Sequence, residues 1–252
     1  MAIIQTEAIV LKWWKLRETS KIVQFYTREG GRLRVVAKAA RRLKSPFRES
    51  LEPFSVIQAV YYAKENRDLQ LLSKADLIDP HLNIIGNIEK TTLAMAATEI
   101  IYRTVVGEES FPELYLLLRN FLHNVDTHND FLEGYFWYFE NRFLGLMGYH
   151  PTWDTCLRCG CSLGIQGGVF QPLQGGLFCR RCGSSGMKVS HDTLEILYWL
   201  QRASIAEAGG IEPAPAVKME IRRIFTIYLS SHFDFFNRIR SLEIYYTLCA
   251  DR

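Results

Sequence analysis

Between Thr6 and about Ile78, apolar and polar positions alternate in short runs with a period near two, the spacing of a strand with one buried face. The runs are Glu7-Ala8-Ile9-Val10-Leu11-Lys12, Lys21-Ile22-Val23-Gln24-Phe25-Tyr26, Arg32-Leu33-Arg34-Val35-Val36-Ala37-Lys38, Val56-Ile57-Gln58-Ala59-Val60-Tyr61-Tyr62 and Leu69-Gln70-Leu71-Leu72. Arg28-Glu29-Gly30-Gly31 separates the second run from the third, and its glycines supply the positive φ that a tight hairpin needs. Short strands so spaced predict a small β-barrel of the OB type. Alternation along the third run sends Arg32, Arg34 and Lys38 to one face and Leu33, Val35 and Ala37 to the other.

Past Asp79-Pro80 the period lengthens to about 3.6, that of a helix with one apolar stripe. Three stripes follow: Leu93, Ala97, Ile100 and Ile101; Leu114, Leu117, Leu118, Phe121 and Leu122; then Phe131, Tyr135, Phe136, Phe139, Phe143 and Met147. Gly148 and Pro151 are placed to stop the third helix. Residues 152–189 are rich in Cys and Gly and lose the helical pattern. Ser190 then reads as an N-cap, with Asp192 in the first turn and Leu194, Leu197, Tyr198 and Leu200 behind it. After a loop from Ala206 to Pro213, a last helix is expected from Pro215 through Val217, Ile221, Ile224, Phe225, Tyr228 and Leu229.

Two C-x-x-C-G units interrupt this pattern, Cys156-Leu157-Arg158-Cys159-Gly160 and Cys179-Arg180-Arg181-Cys182-Gly183, with 19 residues between the inner cysteines. Each unit can aim two thiolates at one point, and the trailing glycine can take the positive φ that brings backbone N–H groups to the sulfurs. Together Cys156, Cys159, Cys179 and Cys182 predict a closed tetrahedral site for one structural Zn²⁺ per chain, with Arg158, Arg180 and Arg181 offsetting its negative charge. Gly167 to Phe170 and Gly175 to Phe178 read as a hairpin joining the knuckles. Buried free thiols or a redox pair are the competing readings. Cys161 could stand in for Cys159, Cys249 reads as a small core residue, and His150 as a loop histidine.

The chain is therefore expected to be α+β: an N-terminal OB-fold β-barrel over residues 1–80, a mostly α-helical domain over 81–252, and a four-cysteine zinc ribbon or knuckle inserted over 153–186. With 252 residues and 48% apolar composition, two modest cores are affordable. The N-terminus lacks a charged start followed by an apolar run, and no segment approaches the roughly 18–20 apolar residues of a membrane span, so a cytoplasmic protein without a membrane partner is expected. In that reducing compartment six cysteines argue for metal, redox chemistry or burial and against disulfides.

The net charge of +3 conceals a segregation. Residues 1–50 carry 12 Lys and Arg against 4 Asp and Glu, a balance of +8, which leaves the remainder at 18 − 23 = −5. Such a basic end is the electrostatic footprint of a surface that neutralises phosphates. Its densest part, from Lys38 through Arg41, Arg42 and Lys44 to Arg48, follows the third strand and should form a loop. Charge runs are most often merely solvated. Here the coincidence with Arg32 and Arg34, the interleaved Phe47 and a barrel type that binds single strands favour a nucleic-acid surface. Of Trp13, Trp14, Phe25 and Tyr26, one of each adjacent pair must face the core, so at most half could stack on bases.

A closed four-thiolate site has no open coordination position, and the sequence carries no deaminase H-x-E, Walker A loop, G-x-S-x-G elbow or H-E-x-x-H. A protein that is not an enzyme is expected.

With these parts in view the chain resembles the RecO family of bacterial recombination mediators. The resemblance is carried by Thr6-Glu7-Ala8-Ile9-Val10-Leu11, Arg17-Glu18-Thr19-Ser20, the run from Phe25 to Leu33, the run from Val35 to Arg42, Leu51-Glu52-Pro53-Phe54, and Phe143 to Tyr149 leading into the first knuckle. Ala39 stands where that family usually has glycine, and some relatives lack the cysteines. The resemblance implies an OB-fold that binds single- and double-stranded DNA and anneals complementary strands. It also implies work with RecR to help RecA load on DNA coated by single-strand-binding protein, in association with the nucleoid. DNA contacts then fall on Arg34, Lys38, Arg41, Arg42, Lys44 and Arg48. Two other functions remain in play, a protein-interaction adaptor and an RNA-binding zinc protein.

Overall fold

A computed structural model of the chain describes residues 2–47, 49–65, 67–107, 109–164 and 167–249. The α+β expectation holds: a five-stranded barrel, then helices, with a small sheet among them and the four cysteines gathered in the turns before and after its strands. Strands β1 (Ala2–Leu16), β2 (Ser20–Thr27), β3 (Gly31–Ala37), β4 (Val56–Ala63) and β5 (Gln70–Asp79) close in the order β1-β2-β3-β5-β4. All ladders are antiparallel except β3 with β5, which run parallel through Val35↔Gln70 and Val36↔Leu71. Because β5 lies between β3 and β4 in the ring, the connection over residues 38–55 must pass across the barrel, and it carries the densest run of cations.

The period-two reading sorts the interior correctly. Val10, Val23, Phe25, Leu33, Val35, Ile57 and Leu72 fill the barrel. The strands outrun their apolar alternation at both ends of the domain: β1 begins at Ala2, paired with Ala63, and β5 continues to Asp79, paired with Val56. Those extensions rest on main-chain hydrogen bonds, which leave no periodic signature in the side chains.

The outer face of the barrel is partly covered. Ile9 and Tyr26, opposite each other on β1 and β2, are both fully buried. Above them lies α3 (Pro112–Thr127): the Tyr26 ring sits 5.8 Å from that of Tyr115, Tyr26 Oη donates to the Phe111 carbonyl at 3.1 Å, and Tyr115 Oη donates to Glu7 at 3.0 Å. α1 (Leu82–Ile85) and α2 (Ile88–Thr104) lead up to it. Asn87 caps α2 by accepting from the N–H groups of Glu89 and Lys90. Leu93, Ala97, Ile100 and Ile101 are buried as their spacing requires.

Contacts divide the chain into two compact units. One comprises the barrel, α1 to α3 and a C-terminal helix; the other begins at His128 and runs to Ile239. That C-terminal helix, α7 (Arg240–Leu248), packs on α2 and corrects the expectation that the helix from Pro215 is the last. Nine residues burying only Ser241, Leu242 and Tyr245 are too few to show a clear 3.6 period.

In the second unit α4 (Leu132–Leu146) stops where Gly148 was expected to stop it. Gly148 has φ +83°, its N–H bonds to the Gly145 carbonyl, and the Tyr149 N–H bonds to that of Leu144, the paired contacts of a Schellman end. Ser190 caps α5 (His191–Arg202) by accepting from the Thr193 N–H, and Pro215 occupies the first turn of α6 (Pro215–His232). Between α4 and α5, β6 (Gly168–Gln171), β7 (Gly176–Phe178) and β8 (Met187–Val189) form an antiparallel sheet in the order β7-β6-β8.

Two carboxyl groups lie inside this unit. Arg222 donates to both oxygens of Glu133, at 2.6 and 2.7 Å, the paired geometry that a buried carboxylate needs. Glu140 is 1% exposed, and neither of its oxygens has a hydrogen-bond partner among the described residues. Burial, aided by the Glu133 charge, pushes its pKa well above the ordinary 4.5. The folded chain thus holds this proton where the unfolded chain has released it. Stability associated with Glu140 is therefore full below pH 4.5 and declines as pH rises above that value. Glu140→Gln should flatten this decline, as read from urea unfolding at pH values from about 4 to 8; an unaltered pH slope would count against a buried neutral carboxyl.

Candidate nucleic-acid interface and metal centre

The cations named from sequence fall into two groups. On β3, Arg34 is exposed and Arg32 half-buried, while Leu33 and Val35 point inward. Arg32 is engaged: its Nη1 donates to the Tyr102 carbonyl at 2.7 Å, and its guanidinium lies 4.8 Å from the centre of the Tyr102 ring. Arg34 lies 3.7 Å from Asp68 in a largely solvated pair. The two arginines, with Gln24, Asp68, Tyr102 and Gly107, line a cleft of about 370 Å³.

The second group sits on the connection that crosses the barrel. Lys38, Arg41, Arg42 and Lys44 are exposed, and none of them forms an ion pair among the described residues. Arg48 lies outside the described residues. The loop is anchored from beneath: Ala40, Phe47 and Leu51 belong to the barrel core. Phe47, which the sequence offered as an interleaved stacking residue, is therefore 7% exposed and serves as an anchor. The Arg41 N–H bonds to the Thr19 carbonyl at 2.8 Å, and its Nη1 donates to that of Glu18 at 2.8 Å. These bonds hold the loop against the β1–β2 turn, which also carries the exposed Arg17.

Among the aromatic candidates, Phe25 fills the barrel and Tyr26 lies under α3, so neither can meet a base. Trp14 is 40% exposed, with Lys12 Nζ 4.8 Å from its ring centre. Trp13 packs against the core with Lys21 Nζ 4.0 Å from its ring.

The four cysteines converge as their spacing predicts. The sulfurs of Cys156, Cys159, Cys179 and Cys182 all lie within 4.8 Å of one another, and Cys159 and Cys179 are 3.9 Å apart. Four thiolates at the roughly 2.3 Å of a zinc–sulfur bond would stand about 3.8 Å apart around a tetrahedron, so the arrangement fits such an ion. In the first knuckle the Gly160 N–H bonds to the Cys156 carbonyl and the Cys156 N–H to that of Cys161; in the second, the N–H groups of Cys182 and Gly183 both bond to the Cys179 carbonyl.

The two trailing glycines act differently. Gly160 has φ +69°, as expected, but Gly183 does not have positive φ; a Cβ there would meet that of Val169 at 2.9 Å. It is required for close packing against the sheet.

Charge within the cluster is divided unequally. Burial pushes the Cys156 thiol up, but N–H groups of Cys179, Cys159 and Arg158 draw it down to about 6. Backbone N–H groups, that of Cys182 foremost, also lower Cys179. Cys182 is pushed up to about 12 by its bond to the Cys179 sulfur, and Cys161 to about 12 by its bond to that of Cys159. Four neighbouring thiols cannot all ionise on their own; a dication at their centre removes that obstacle. The ribbon is fixed to its helices by Trp153, Phe170 and Tyr228. Their ring centres are 5.5–6.5 Å apart, and the Trp153 Nε1 donates to Asn141.

Ala39, the residue between Lys38 and the buried Ala40, has φ +57°. A left-handed conformation costs an L-residue roughly 1–2 kcal/mol, and glycine's added chain entropy offsets part of any gain from replacing it. Ala39→Gly should stabilise the protein by about 0.5–1 kcal/mol in chemical denaturation. A loss of stability would show that the turn is unstrained.

Comparison with known proteins covers nearly the whole chain. The family model described as recombination protein O N terminal matches residues 1–81, and that described as recombination protein O C terminal matches residues 85–242. A protein named DNA repair protein RecO from Desulfatibacillum aliphaticivorans is 31% identical over 91% of this chain and 92% of its own length. One of the same name from Thermoanaerobacter sp. (strain X514) is 29% identical over 96% and 100%. A third, from Syntrophus aciditrophicus (strain SB), is 34% identical over 71% and 69%.

Proposed function

The chain belongs to the RecO family of DNA repair proteins, and on that premise we propose that it binds single- and double-stranded DNA through residues 1–80 and anneals complementary strands. The observation that carries this reading is the loop bearing Lys38, Arg41, Arg42 and Lys44, exposed and without ion pairs among the described residues. Cations without internal ion pairs release counterions from a phosphate backbone without first giving up a charge partner. Annealing asks only that two polyanions be held side by side with their repulsion reduced, so it needs no catalytic residue. Arg34 belongs to the same surface. Arg32, already bonded to Tyr102, orders the edge of the cleft and meets phosphate only with its remaining donors. Arg48 completes the set assigned from sequence.

In this reading residues 81–252 form the helical part of a mediator that works with RecR to help RecA load on DNA coated by single-strand-binding protein. The site of action is the nucleoid, within the cytoplasm. The segment 153–186 holds one Zn²⁺ through Cys156, Cys159, Cys179 and Cys182. When bound, the ion supplies folding energy and neutralises the thiolates, and the four sulfurs leave it no open position for catalysis. The chain's own residues do the rest: Trp153, Phe170 and Tyr228 seat the ribbon on its helices.

Reversing Arg41 and Arg42 to Glu should weaken binding to single strands of every sequence. It should also flatten the slope of log Kd against log salt by about 1.4, the contribution of two phosphate contacts, with a cooperative thermal transition retained. Unaltered affinity and slope in a fluorescence-anisotropy salt series would overturn the assignment. For the metal, purified protein should contain about one zinc per chain by elemental analysis, and Cys179→Ser should aggregate or lose its heat-induced transition. A stable, metal-free, fully active variant would argue that the ion is dispensable.

A further inference from the structure

Three side chains unused by either site converge where β5 hands over to α1. Asp79 closes β5, His81 follows Pro80, and His123 lies near the end of α3. One ligand atom from each lies within 4.8 Å of the other two. His81 Nε2 is 3.4 Å from Asp79 Oδ2, and His123 Nδ1 is 3.7 Å from the same oxygen. These separations exceed an ordinary hydrogen bond. They approximate the edge of a coordination tetrahedron, since N and O donors about 2.0–2.1 Å from zinc lie about 3.3–3.4 Å apart.

The state of His81 points the same way. It is 1% exposed, and its Nδ1 lies 2.9 Å from the Phe54 carbonyl oxygen. A carbonyl only accepts, so Nδ1 carries a proton and Nε2 is the nitrogen left to serve as a ligand. That Nε2 is buried and has no hydrogen-bond partner among the described residues. Asp79 is held too, because its Oδ1 accepts from the His81 N–H at 3.2 Å. An imidazole whose far nitrogen donates to a backbone carbonyl, beside a carboxylate that is itself hydrogen-bonded, is the support found around metal-binding histidines. His123 is exposed and Asp79 half-buried, which gives an ion access from solvent.

We propose that Asp79, His81 and His123 form a second cation site, distinct from the cysteine cluster, that takes a borderline divalent transition-metal ion such as Zn²⁺. Two imidazole nitrogens and one carboxylate oxygen suit such an ion better than Mg²⁺ or Ca²⁺, which prefer all-oxygen shells. Water completes the coordination. Bound there, the ion ties the end of α3 to the junction after β5 and so fastens the barrel to its own helices.

The test uses full-length protein, with wild type, His123→Ala and His81→Gln each equilibrated against buffered Zn²⁺. Metal per chain is counted, and the thermal midpoint is followed with and without the ion. Wild type should take up one more Zn²⁺ than either variant, and Zn²⁺ should raise its midpoint but not theirs. Affinity at the site should fall at least about tenfold in His123→Ala. His123 is on the surface, so its removal leaves the fold intact, and the count is a difference that holds whether or not the cysteines are loaded. Equal Zn²⁺ uptake and an equal midpoint response in wild type and His123→Ala would overturn the proposal and leave the three groups as a proton-mediated ion pair. Retention of the extra ion by His81→Gln would overturn it as well.

Discussion

Closure of the barrel governs the rest of the molecule. Once β3 and β5 pair in parallel, no strand edge is left open in the ring, and every strand residue points either into a sealed interior or away from it. Charge cannot enter that interior unpaired, since transferring an unpartnered ion from water costs several kcal/mol. The cations of β3 are thus driven to the outer surface by the same alternation that buries Leu33, Val35 and Ala37 between them. The path from β3 to β4, forced to pass β5, becomes the natural place for more of them.

The outer surface is itself divided. Where α3 lies over β1 and β2, strand residues are buried on both faces, and a tyrosine that alternation alone would leave open to a ligand is sealed. Where no helix lies, Arg34 and the loop beyond it stay solvated. Arg32 sits at the border and is shared between the strand and the end of α2. The basic surface is in this sense what remains of the barrel exterior after the helices have taken their part.

Much of this was legible in sequence, for identifiable reasons. Strand cores, helix stripes, the Ser190 cap, the Gly148 stop and the convergence of four cysteines each depend on local spacing, which a linear reading retains. What it missed depends on contacts distant along the chain. Phe47 looked like a ligand-facing aromatic because its burial against the barrel core comes from strands that it does not adjoin in sequence. That the β1–β2 turn meets the loop gave no signal, because it rests on bonds from Arg41 to Thr19 and Glu18, more than twenty residues away. The Asp79, His81 and His123 cluster joins positions 44 residues apart (123 − 79) and matches no spacing rule. The left-handed backbone at Ala39 likewise has no counterpart in the apolar and polar spacing.

The crossing connection between β3 and β4 separates two duties along a single segment. Ala40, Phe47 and Leu51 hold it to the core, while the described residues between them take part in no ladder. Substitutions at the intervening positions can therefore accumulate, altering how strongly the surface attracts a polyanion, without shifting the register of any strand. An engineer can graft a different sequence between the same three plugs.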